Sequence, residues 1–193
     1  MIDLTEDTLA PDVVVRRTSS TDIDVRAGER GGPPVVGVAE GAVWARAEPS
    51  SPGVDLGHGS LNVLVRSGTV LLDAQAGAGL LIVLRGEVEI SAGGTLDRIA
   101  TAGDALTFDA TGRISDPDPV DAAELARDPF VSMNLVLDAL GGVPVRIPGE
   151  PVALAPSPTA GPTRRSDEEN RPQAEEMFPE RRRSKGLFAR SKR

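Results

Sequence analysis

Few side chains in this sequence are placed to do chemistry, and the single histidine is the first to weigh. His58 lies in Gly57-His58-Gly59-Ser60, so an imidazole and a hydroxyl stand two positions apart. That pairing is what nucleophilic acyl transfer would use. The G-x-S-x-G elbow, however, needs glycine at position 62, where Asn62 stands. Bracketed by glycines, His58 reads as a solvent-facing turn residue. Glu87 and Glu89 alternate with Val88 and Ile90, and on a strand their carboxylates would share one face about 6.8 Å apart. Glycosidase carboxylates work at such separations, yet the same alternation describes the wet face of an ordinary strand. Asp116, Asp118 and Asp121 are spaced like the start of a calcium loop, but Val120 takes the fifth position, Pro117 and Pro119 stiffen the run, and no glutamate closes it. Turn and helix-cap roles account for all three.

Other chemistries lack their residues. The chain has no cysteine, which excludes disulfides, thiolate metal sites and cysteine nucleophiles. Neither glycine-rich phosphate cradle occurs. One Trp and four Phe in a chain with 29 acidic residues make a poor stacking platform for nucleic acid, and Trp44 is expected to anchor a core or its rim. No catalytic, metal or cofactor site is predicted.

The elements that would position these residues are mostly strands. From Val35 to Ile114 short runs rich in Val, Leu and Ile are cut by glycine, the rhythm of an antiparallel sandwich or roll. Strands are predicted near 35–38, 42–46, 61–66, 69–74, 80–85, 87–91, 96–100 and 105–109, with Gly68, Gly77, Gly79, Gly86, Gly93, Gly94, Gly103 and Gly112 as turns. Leu80-Leu81-Ile82-Val83-Leu84 is apolar on both faces and should be central. With 39% hydrophobic but only 3% aromatic residues, the core must be aliphatic.

After residue 119 the period becomes helical. Asp121 with Glu124 predicts a short capped helix. Asp128 as N-cap, Pro129 at the first helical position and Gly141 or Gly142 at the end predict a second over 129–140. Its stripe Phe130, Met133, Leu137 and Leu140 is expected to dock on the sheet. The expected organisation is a loosely ordered acidic segment at 1–33, a β domain at 34–148 including that helix, and a Pro-rich, charged, disordered tail at 149–193.

Charge is uneven. The chain carries 21 basic and 29 acidic residues, and seven of the basic ones, Arg181, Arg182, Arg183, Lys185, Arg190, Lys192 and Arg193, crowd the last thirteen positions without one acid. That cluster, with Phe188, either stays solvated, folds back on the acidic body, or makes weak electrostatic contact with anionic lipid or nucleic acid. The first residues show no basic, apolar leader, and no apolar run approaches the roughly 20 residues of a membrane span. The expected location is cytoplasmic, and the expected partner is another protein.

Two families resemble parts of the chain. Leu84-Arg85-Gly86-Glu87-Val88-Glu89-Ile90 followed by Ala102-Gly103-Asp104-Ala105-Leu106 resembles the join between the two cupin motifs, but the metal-binding histidines of that family have no counterpart here. Only a metal-free small-ligand pocket would follow. The same stretches, with Gly59-Ser60 and Gly68-Thr69-Val70-Leu71-Leu72-Asp73, also resemble the FecR domain, an all-β module of regulators that act with alternative sigma factors. That resemblance covers about 80 residues and implies a non-enzymatic β module used for protein contact. It brings no catalytic residues. FecR-type sensors place the module behind a transmembrane helix, which this sequence lacks, so transmembrane signalling does not follow from it.

Overall fold

A computed structural model describes residues 3–149 of the chain. Ten strands make one sheet that does not close: β1 (Leu4–Ala10), β2 (Val13–Thr18), β3 (Asp22–Arg26), β4 (Val35–Ala47), β5 (Val54–His58), β6 (Leu61–Gln75), β7 (Ala78–Ala92), β8 (Thr95–Thr101), β9 (Asp104–Asp109) and β10 (Asp118–Pro119). Two helices follow, α1 (Ala122–Leu125) and α2 (Pro129–Leu140).

Three long strands, β4, β6 and β7, run through both halves of this sheet. In one half the order is β1-β2-β4-β6-β7-β9-β10, and in the other it is β3-β4-β5-β6-β7-β8. All pairs are antiparallel except β4 with β5. The inner faces of the halves meet in one aliphatic core. Val13, Val15, Val43, Ala45, Val70, Leu72, Leu81, Val83 and Leu106 come from the first half, and Val36, Val38, Leu56, Val63, Val65, Val88 and Ile90 from the second.

Gly77, Gly93, Gly94 and Gly103 sit in turns as expected, but Gly68 and Gly86 are instead bends inside long strands, as is Gly41. In β4 the inward residues are Val36 and Val38 before Gly41, but Val43 and Ala45 after it. The same change of parity separates Val63 and Val65 from Val70 and Leu72 across Gly68, and Leu81 and Val83 from Val88 and Ile90 across Gly86. A one-residue bulge flips every later side chain to the other face. Here the flip keeps apolar residues inward as each strand turns the corner. Gly68 and Gly86 face one another in the β6–β7 register. A Cβ on Gly86 would run into the Ser67 carbonyl, and one on Gly68 into the Arg85 carbonyl. Predicted strand pairs therefore fuse into one strand each.

Residues before 34 were expected to be loosely ordered, and the structure corrects this. They supply β1, β2 and β3, with Val13 and Val15 fully buried. Pro11 and Asp12 make the two-residue turn between β1 and β2, Asp12 at φ 62°. The left-handed region is one that aspartate tolerates. The segment looked solvated because of its charges, yet Arg16 is buried against a residue far along the chain. The expectation for β7 holds: Leu81 and Val83 face the inner core, while Ile82 and Leu84 face a second cluster under the helices.

Candidate protein-docking groove

The outer face of the first sheet half is covered by α1, α2 and the chain after them. Trp44, Leu71, Ile82 and Leu84 pack there against Leu125, Phe130, Val131, Val145 and Ile147. Both helices begin as the sequence predicts. Asp121 accepts from the amides of Ala123 and Glu124, and Asp128 from those of Phe130 and Val131. Helix α2 ends in a Schellman turn: the Val143 amide donates to the Asp138 carbonyl at 2.9 Å, and the Gly142 amide to that of Ala139 at 3.1 Å. Gly142 is the left-handed residue, at φ 78°. The turn sends Val145 and Ile147 back onto the sheet.

The docking stripe of α2 is not the expected one. Phe130, Val131, Asn134 and Asp138 are buried, whereas Met133 is 41% and Leu140 80% exposed. Only Phe130 belongs to both sets, and Leu137 is half-buried. The reason is electrostatic. Asp138 is fully buried; its Oδ1 accepts from Arg16 Nη1 at 2.6 Å and Arg46 Nη1 at 3.1 Å, and its Oδ2 from Trp44 Nε1 at 3.0 Å. Arg16 Nε also donates to Glu6 Oε2. Burial by itself would lower the Arg16 pKa, but hydrogen bonds and charge from Glu6 and Asp138 outweigh it and leave it raised. A carboxylate so satisfied is tolerated inside. It orients the helix with Asn134 and Asp138 inward together with Phe130 and Val131.

Where α1 and the start of α2 stand off the sheet, a half-open groove of about 570 Å³ remains. Leu71, Leu80, Ile82 and Ala105 form its floor, and Pro119, Val120 and Leu125 its wall. Asp73, Asp121, Glu124 and Asp128 stand around it with one cation, Arg127. Asp73 and Glu124 make no ion pair with any described residue. An apolar floor under unpaired charge suits a ligand with an apolar anchor more than it suits bond chemistry.

The fold has solved neighbours. One is a "putative anti-sigma factor" from Parabacteroides distasonis, with a TM-score of 0.51 and 14% identity over 72% of this chain and 71% of that one. A second structure, likewise of a "putative anti-sigma factor" from that organism, gives a TM-score of 0.49 and 16% identity over 70% and 73%. At such identity the likeness with the first is one of fold. No family model and no curated protein matches the sequence.

The residues singled out from the sequence do not converge. His58, expected to face solvent in a turn, is half-buried at the end of β5, where Nδ1 lies 2.8 Å from the Val38 carbonyl and the ring packs 5.5 Å from that of Phe108. Ser60 Oγ donates to the Thr111 carbonyl at 3.3 Å. Glu87 is exposed and Glu89 half-buried, with Glu89 accepting from Arg66 Nε at 2.9 Å. Asp121 caps α1, and Asp116 lies 3.7 Å from Arg98. Among the described residues no group of three or more His, Cys, Asp or Glu could hold a metal ion, and no helix is long and apolar enough to cross a membrane. Arg181, Arg182, Arg183, Lys185, Phe188, Arg190, Lys192 and Arg193 lie outside the described residues, as does the tail expected to be disordered. The groove itself was missed. Leu71, Leu80 and Ile82 were read as strand positions, and nothing local says that the helices leave part of their face uncovered.

Proposed function

We propose that this chain is a regulatory, non-enzymatic protein that works by holding a protein partner, and that the groove between its sheet and helices is where it does so. The observation carrying this reading is the apolar floor of Leu71, Leu80, Ile82 and Ala105, left open beneath a rim of charge. The resemblance to FecR domains supports it, as does a fold neighbour described as a putative anti-sigma factor. The basic run Arg181 to Arg193 is proposed as an auxiliary, electrostatic contact with anionic surfaces.

The volume of the groove also falls in the range of small-ligand sites, which keeps a metal-free, cupin-like ligand binder as the second reading. Full-length protein used as bait in a native lysate separates the two. The account expects a protein that is captured by wild type and lost with Leu80→Arg, which fills the groove from β7, or with Val120→Arg from the loop side. A small molecule extracted from wild type alone, with no protein sensitive to either change, would favour the ligand binder.

A further inference from the structure

Resting on that reading, we infer that the groove selects a peptide segment whose apolar anchor is flanked by arginine or lysine. The floor is wholly aliphatic, supplied by Leu71, Leu80, Ile82 and Ala105, so the anchor must be apolar. Around it stand four carboxylates against one guanidinium. Asp121 and Asp128 already accept two backbone amides each as helix caps, and their charge is partly offset by those helix ends. Among the described residues Asp73 and Glu124 carry neither a cap role nor an ion pair.

Carboxylates such as Glu6, Asp7, Glu48, Glu89, Asp97 and Asp138 already face an arginine, whereas Asp73 and Glu124 line an apolar groove with their charge still available to a ligand. Asp73 comes from β6, where it is paired in register with the floor residue Leu80, and Glu124 comes from α1. With carboxylates from both the sheet and the helix lining the groove, an apolar side chain that enters it brings its neighbours close to negative charge. An acidic segment would meet like charge there, so the groove discriminates by repulsion as well as attraction.

The test uses the full chain and three labelled twelve-residue peptides, followed by fluorescence anisotropy. One has a Leu-Phe pair flanked by two arginines on each side, one has glutamates in place of the arginines, and one has the arginines with Ala-Ala at the centre. The first should bind, weakening with salt, and the other two should bind at least about tenfold less well. Asp73→Asn combined with Glu124→Gln should weaken the first peptide about tenfold, and Leu140→Ser should leave it unchanged. Equal binding of the glutamate peptide, no binding of the arginine peptide, or indifference to the Asp73 and Glu124 changes would overturn the inference. If such a result came with native capture still lost in Leu80→Arg, the partner's chemistry would be wrong while the docking groove stood. Capture insensitive to Leu80→Arg would remove the groove itself.

Discussion

Arg16 Nη1 donates to Asp138 Oδ1 at 2.6 Å across 122 positions of sequence, tying β2 to the last turn of α2. Arg46 and Trp44 complete the grip on the same carboxylate. Asp138→Ala would leave two buried guanidiniums without their shared counter-charge, and a cost of about 3–5 kcal/mol is expected in denaturant unfolding. Arg16→Ala and Asp138→Ala should be strongly non-additive. Leu140→Ser, on the exposed face, should stay within about 0.5 kcal/mol of wild type. Equal effects at Asp138 and Leu140 would mean the helix does not dock as described.

Glycine is needed at position 86 for two reasons. Its φ is 76°, and a Cβ would strike the Ser67 carbonyl of the neighbouring strand. Gly94, at φ 80° in a hairpin turn, has nothing within 4 Å of such an atom. Gly94→Ala should therefore cost only the left-handed penalty, about 1–2 kcal/mol. Gly86→Ala should cost clearly more, or prevent folding, because β6 and β7 would have to part. Similar melting temperatures for the two variants would count against the fused, bent strands.

Asp55, on β5, has an Oδ1 that is buried without a hydrogen-bond partner among the described residues, and burial raises its pKa above the ordinary aspartate value. A carboxyl whose pKa is higher folded than unfolded binds more protons in the native state. Its contribution to stability is full below the unfolded value and is lost as pH rises through the folded one. Asp55→Asn should therefore gain stability relative to wild type at pH 7 and lose that advantage near pH 3, as read by urea unfolding at both. An advantage that does not change with pH would assign the effect to something other than this proton.

Truncation after Glu180 removes seven basic residues and no acidic one. The full chain should co-sediment weakly with vesicles containing phosphatidylserine at low salt, the truncated chain less, and the difference should shrink at physiological salt. Identical sedimentation of the two would leave the basic run without this role.

Much of the sheet was legible because glycine and period-two aliphatic runs are local signals. Leu80 to Leu84 announced a strand covered on both sides, and Asp121 and Asp128 announced helix starts, since a cap acts within three residues. What could not be read was whatever depends on a distant partner. The buried pairing of Arg16 with Asp138 has no local signal, because it joins residues 122 positions apart. The stripe Phe130, Met133, Leu137 and Leu140 was the reasonable choice without that pair. Gly68 and Gly86 misled in another way: a bulge and a turn both call for glycine, and only cross-strand register tells them apart. The groove left no trace in the sequence, since it is a space between elements.

The most direct test of the central claim places a photo-crosslinking residue at Arg127, on the groove rim, and in a second chain at Thr95, on the strand β8 of the other sheet half. Each full-length variant is irradiated in its native cells and the adducts are compared by mass spectrometry. The account predicts a protein adduct from position 127 that is absent from position 95 and disappears when Leu80→Arg is added. No protein adduct at 127, or one that forms equally from 95 and survives Leu80→Arg, would contradict it.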